Sequence, residues 1–192
     1  MTLTVTSAAL VVAALVLIGF PVYTDLAHNN LQKHLSSQLF SPAERRAYLA
    51  GRVADGDSLT RIRIPTLGVD TVVVQGTDEK ALRAGAGHYP TTPLPCAMGD
   101  VAIAGHRTTY GKPFSNVNLL APGDQITLQT PVGSCVYRVA LAPFVVPAND
   151  WGVVANTPAL HTLTLTSCHP KGSASHRIVI KAQMMSSEQL YG

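Results

Sequence analysis

Charge is scarce in this chain. Of its 192 residues only 13% are charged, and the formal net charge is +3. That balance is too mild for a nucleic-acid-binding surface, and no basic stripe accompanies it. No internal repeat or low-complexity run appears, so solenoid and fibrous architectures are excluded. The carboxylates form no compact cluster of the kind that cages calcium, and nothing in the sequence asks for a metal or an organic cofactor. No Lys or Arg precedes the first apolar run, so the positive-inside rule gives no orientation to it. Cysteine is limited to Cys96, Cys135 and Cys168, an odd number that leaves at least one thiol unpaired.

The chain does contain one long hydrophobic run. Leu3 to Phe20 reads LTVTSAALVVAALVLIGF, and about 18 apolar residues approach the length that crosses a bilayer core. Pro21 ends the run, and Tyr23 is placed like an interfacial aromatic. A cleaved signal peptide is the alternative, but the run is long for one and no clean Ala-x-Ala site follows. Residues 1–23 are therefore predicted to be an N-terminal transmembrane helix and membrane anchor. Residues 24–57 follow as an extracellular linker: a helical stalk, a spacer or a lid. Leu26, Leu31, Leu35 and Leu39 are loosely helical in spacing, and Pro42 and Asp55-Gly56-Asp57 interrupt the segment. Residues 58–190 have the size of one domain.

Within that domain, short β-runs alternate with turn residues. Strands are predicted at 60–65, 69–76, 99–106 and 134–146, the last one long and bent near Pro143, with others after the Pro122-Gly123-Asp124 turn, over HTLTLTSC and over HRIVIKAQ. Val, Ile and Thr dominate them, as strand sterics favour. One or two helical turns are expected over 78–87, closed by glycines. The fold class is mainly all-β: a barrel or sandwich of seven or eight strands with little helix.

TLTLTSCHP, Thr162 to Pro170, carries the chemistry. A strand that delivers a cysteine at its end presents a nucleophile, and Cys168 is the candidate free thiol. A nucleophilic cysteine needs a proton acceptor and a stabiliser for the oxyanion. His106 ends the apolar strand VAIAGH, where Gly105 permits a close approach. Arg177 opens the strand after Cys168 across a short connection, so the two can be hairpin neighbours, and a guanidinium stays charged at any working pH. Arg107 competes with it and otherwise reads as a solvated loop charge. Cys96 and Cys135 either pair as a disulfide or stand as two buried thiols. A zinc site from His106, Cys168 and His169 fits structural zinc spacing poorly.

These residues resemble the sortases, membrane-anchored cysteine transpeptidases of Gram-positive bacteria. TLTLTSC is similar to the family's Thr-Leu-x-Thr-Cys signature, AIAGHR to its histidine segment and RIVI to its arginine strand. SCHP and GHRTTYGKPF are similar to the actinobacterial class E members. The resemblance implies a closed sortase-type β-barrel of about eight strands with a few short helices. It implies Cys168, His106 and Arg177 as the catalytic set, acting on secreted proteins that bear a Leu-Pro-x-Thr-Gly or Leu-Ala-x-Thr-Gly sorting signal. Cys168 attacks the Thr carbonyl, and a peptidoglycan precursor or cross-bridge amine then takes the acyl group. The location implied is a single-pass protein of the cell membrane with its catalytic domain outside. The family commonly has Thr before the cysteine; here Ser167 keeps the hydroxyl and loses the methyl. Trp151, in the loop 147–159 that forms one wall of the family's peptide groove, Tyr110 and Ser167 are the candidate substrate-binding residues. His88 and Tyr89 are expected to shape the loop before His106, with His161 and His169 structural. Two other classes compete: a secreted cysteine peptidase, which usually places its cysteine on a helix before its histidine, and a non-enzymatic β-barrel binding module with an inert thiol.

Overall fold

The computed structural model describes residues 2–189, with the backbone alone at 2–18, 21, 188 and 189. Among the described residues nine strands follow one another: β1 (Ser58–Ile64), β2 (Val69–Gln75), β3 (Ala86–His88), β4 (Gly99–Ala104), β5 (Gln125–Thr130), β6 (Gly133–Val139), β7 (Phe144–Pro147), β8 (His161–His169) and β9 (His176–Gln189). Eight of them pair in the order β6-β5-β1-β2-β3-β4-β8-β9, and β9 returns to pair with β6, which closes a barrel. β2–β3 and β4–β8 are parallel; the other pairs are antiparallel. β9 makes closure possible by its length: one edge pairs with β8 over 176–183, and the other carries β7 at 176–179 and β6 at 182–189.

Alternation decides which side chains enter the barrel. Ile62 and Ile64, Val101 and Ile103, Ile126 and Leu128, Leu163 and Leu165, and Ile178 and Ile180 are buried in one core with Phe114 and Tyr137. β2 is apolar on both faces because both are covered. Val73 points into the core, while Val72 and Val74 pack with Ala81 and Ala84 of α3 (Glu79–Ala84). Two features depart from the sequence reading. The expected strand 134–146 is two strands, β6 and β7, because the chain leaves the barrel at Ala140–Pro143 and rejoins β9 further along. β3 lies within the glycine-flanked segment where only helical turns were expected.

The N-terminal helix α1 (Thr2–Gln38) continues past Pro21, and α2 (Pro42–Leu49) follows it, capped by Ser41 through its bond from the Glu44 amide. The segment 24–57, expected as a linker, is not free of the barrel. Leu35 and Leu39 are buried against Val72, Val74, Ala81 and Ala84. Gln32 accepts from the Val72 amide at 2.7 Å and donates to the carbonyls of Val72 and Ala84. The Tyr48 hydroxyl of α2 donates to the Pro95 carbonyl. Among the described residues no helix is long and apolar enough to cross a membrane; the expected span over 3–20 falls almost entirely outside the residues whose side chains are described. Cys96 and Cys135 are joined by a disulfide, and Cys168 is left free.

Candidate active site

Three strands end together at one rim of the barrel. The parallel register of β4 on β8 runs from Gly99–His161 to Ala104–Thr166, and the Gly105 amide donates once more, to the Thr166 carbonyl at 3.1 Å. Two residues beyond the last pair, His106 follows the end of β4 on the edge of β8 where Cys168 lies. On the other edge of β8, Cys168 is the direct register partner of Arg177. Opposite residues on neighbouring strands project from the same face, so sulfur and guanidinium share one side of the sheet. A cleft of about 180 Å³ opens there, lined by His106, Cys168, Arg177, Tyr89, Leu82 and Trp151 among others.

Ser167 holds the two strand ends together. It is buried, and its hydroxyl donates to the Gly105 carbonyl at 2.5 Å. The bond explains why a hydroxyl is needed before the cysteine: the contact it makes is with backbone. Gly105 is required by close packing, since a Cβ there would lie 2.5 Å from the Phe114 ring. The Phe114 amide in turn donates to the His106 carbonyl.

His106 is half-buried, and its Nε2 is out of contact with water and has no hydrogen-bond partner among the described residues. Burial pushes its pKa below the usual imidazole range. An unpartnered ring nitrogen in a cleft costs stability, and it leaves a proton donor or acceptor free for a reacting group. Tyr110 packs on the His106 ring with centroids 5.6 Å apart, and the Arg83 guanidinium lies 5.7 Å from the Tyr110 ring centre. Tyr110 is thus placed against the imidazole. Its backbone is left-handed, as are those of Gly111 and Lys112. That conformation is uncommon outside glycine, and here Asp25 of α1 holds it by accepting from the Gly111 amide and pairing with Lys112.

Arg177 donates through Nη1 to the carbonyls of Ala174 and His176. Among the described residues its Nη2 and Nε protons meet no acceptor, and it lines the cleft beside Cys168. Arg107 is not the solvated charge the sequence suggested. It is 5% exposed, and donates to the Ser115 carbonyl and to Asn118 Oδ1, with His169 Nδ1 at 3.3 Å. No carboxylate partners it among the described residues. Burial lowers its pKa, opposed by a coulombic attraction to Cys168. His169, held by this guanidinium, would have to give up the contact to bind zinc. Trp151 is exposed at the cleft in a one-turn 3-10 helix, Trp151–Val154. The sequence reading missed Asp100 and Lys181, which anchor this turn from below.

His88 and Tyr89 do shape the loop before β4. His88 is fully buried, with Gln75 Oε1, the Pro93 carbonyl and Thr92 Oγ1 within 3.1 Å, and the Tyr89 hydroxyl meets Thr166 Oγ1. Burial pushes the His88 pKa down from 6.5 to about 4. The folded state therefore favours the neutral ring, and its stabilising effect is complete above 6.5 and is lost as pH falls from 6.5 towards 4. The shift corresponds to about 3 kcal/mol. Denaturant unfolding at pH 7 and pH 4.5 should show that loss, and His88→Gln should flatten the profile. Equal stability of the parent protein at both pH values would contradict it.

The geometry can be set beside known proteins. The family model described as Sortase domain matches residues 62–185. Sortase SrtE1 of Streptomyces coelicolor is 30% identical over 174 residues, covering 83% of this chain and 47% of the relative. The chain thus spans about half the length of that curated relative. Among solved structures, the sortase D5 transpeptidase of Clostridium perfringens has a TM-score of 0.72 at 25% identity, covering 83% of this chain and 99% of that one. Sortase E of Streptomyces avermitilis has a TM-score of 0.65 at 31% identity, covering 71% and 93%.

Proposed function

Because the chain belongs to the sortase family of cysteine transpeptidases, we propose that it cleaves a Leu-Pro-x-Thr-Gly or Leu-Ala-x-Thr-Gly sorting signal between Thr and Gly and passes the protein to a cell-wall amine. The observation that carries the reading is the meeting of one free thiol, one unpartnered imidazole nitrogen and one guanidinium at the ends of β8, β4 and β9. The Cys168 sulfur adds to the Thr carbonyl carbon as His106 takes the thiol proton, and the oxygen takes the negative charge beside the Arg177 donors. As the C–N bond to Gly breaks, His106 gives that proton to the leaving amine, and the Thr acyl group remains on Sγ as a thioester. An incoming amine attacks the thioester, His106 takes its proton, and the C–S bond breaks as that proton returns to the Cys168 sulfur.

Trp151 offers an apolar face to the peptide, and Tyr110 sets the imidazole while its hydroxyl can reach a non-proline second position of the signal. The assignment of the sequence follows from this reading: residues 1–23 anchor the protein in the cell membrane, 24–57 connect, and 58–190 catalyse outside the cell. The relatives named sortase E, with the SCHP and GHRTTY segments, favour class E behaviour. Incubation with each sorting peptide and a glycine-based amine should give a transfer product and an acyl-enzyme adduct on Cys168 by mass spectrometry. Absence of both with either peptide would overturn the proposal.

A further inference from the structure

The wall of the cleft that carries Trp151 has no apolar footing. From Ala148 to Leu160 no residue is buried. A loop without buried side chains is ordinarily mobile, yet this one, beyond the bond from the Ala148 amide to the Ser175 carbonyl at its start, is fastened by hydrogen bonds around one polar node. At the node's centre is Asp100, at the start of β4, whose side chain is 1% exposed. Thr162 Oγ1 donates to its Oδ1, and Thr164 Oγ1 to its Oδ2, each at 2.7 Å. Lys181 of β9 completes the node. Its ammonium donates to Asp100 Oδ2 at 3.1 Å, to Thr164 Oγ1 at 2.6 Å and to the Val153 carbonyl at 2.6 Å. An ammonium has three protons, so all are in use, and one of them holds the turn that contains Trp151. The Asp100 amide donates to Asn156 Oδ1 further along the same loop, Thr157 Oγ1 lies 3.3 Å from Thr162 Oγ1, and the Gly99 amide donates to the Leu160 carbonyl.

The node shares its sheet face with the nucleophile. Thr162, Thr164, Thr166 and Cys168 alternate along one side of β8, and Lys181 and Arg177 lie opposite Thr164 and Cys168 on β9. A rigid strand pair therefore carries the reacting sulfur at its rim and the loop's anchor four residues below. We propose that Lys181 and Asp100 are positioning residues for substrate recognition: they seat the Trp151 turn at a fixed height over Cys168, so that peptide affinity depends on them while the chemistry at sulfur does not. The proposal rests on the transpeptidase reading for its substrate, and on the hydrogen-bond node alone for the seating.

Trp151 is the chain's only tryptophan, so its fluorescence reports the loop without any label. Lys181→Met removes all three donors but leaves a buried carboxylate unpaired, which can itself unfold a protein. The double variant Lys181→Met/Asp100→Asn removes that charge; its amide oxygen can still accept from Thr162, and its NH2 can donate to the Thr164 hydroxyl that Lys181 no longer occupies. Asn156→Ala, at an exposed position, loosens the loop without touching the ion pair. In each variant that melts cooperatively, Trp151 anisotropy should fall and acrylamide quenching should rise about twofold as the turn gains freedom. KM for the sorting peptide should rise roughly tenfold for the double variant, and less for Asn156→Ala, with kcat within about twofold. The rate of Cys168 alkylation by iodoacetamide should not change. Unchanged anisotropy and quenching would overturn the seating, as would a fall in kcat at constant KM for its role in recognition. If the parent protein turns over neither peptide, the transpeptidase reading fails, while the fluorescence still decides whether the node seats the loop.

Discussion

Cys168→Ala is expected to abolish the acyl-enzyme adduct and to reduce peptide transfer on the order of 10³-fold or more. The expectation follows from the site's division of labour. Cys168 supplies the only free thiol, and the hydroxyls beside it on β8 are engaged elsewhere: Ser167 Oγ is spent on the Gly105 carbonyl and Thr166 Oγ1 on the Tyr89 hydroxyl. The substitution should leave the fold alone. Cys168 is half-exposed at a strand end, outside the buried core, and surface substitutions usually shift stability by no more than about 0.5 kcal/mol. Comparable thermal midpoints with lost transfer would thus assign the loss to chemistry. Iodoacetamide at neutral pH offers the complementary reading, with labelling at Cys168 in the parent protein and none in the variant. Transfer retained by Cys168→Ala would remove the thioester from the mechanism.

Much of this site was legible because its chemistry sits where strand periodicity is strongest. HTLTLTSC alternates without interruption, so both its pairing and the emergence of Cys168 at its end could be read directly, and VAIAGH and HRIVI are nearly as regular. The same alternation hid the polar node. Thr162 and Thr164 look like ordinary β-formers, and Asp100 like a polar residue at the start of a strand. The usable signal was Lys181, a charge set inside an otherwise apolar strand, which has to find a partner on whichever face it points to. Arg107 was misread for the opposite reason: the loop it belongs to is polar in sequence, and only the folding of Ser115 and Asn118 back over it removes it from water. β3 is three residues with Gly85 before it and Gly87 within it, and it carries no period to detect. The docking of α1 was also beyond pattern. Leu35 and Leu39 were visible as a weak helical stripe, but their partners on β2 and α3 are a tertiary choice that spacing does not encode.

The second large effect concerns the disulfide. Cys96 lies in the segment between β3 and β4, and Cys135 is a core residue of β6, across the barrel order from both. The bond therefore ties a long connection to a strand that no neighbouring backbone pairing reaches. With the two cysteines 39 positions apart, the chain-entropy model assigns the closed loop about 4 kcal/mol of stabilisation through the unfolded state. Cys96→Ala/Cys135→Ala should accordingly lower the thermal midpoint by roughly 10 °C, and reductant should lower that of the parent protein by a similar amount while leaving the double variant unmoved. At 25 °C the variant should still alkylate at Cys168 at the parental rate, because the ends of β4, β8 and β9 are held by their own register and by the Ser167–Gly105 bond. A midpoint shift below about 3 °C, small on the scale expected for several kcal/mol, would mean that the native contacts of the β3–β4 connection, Tyr48 on the Pro95 carbonyl among them, already constrain it without the covalent link.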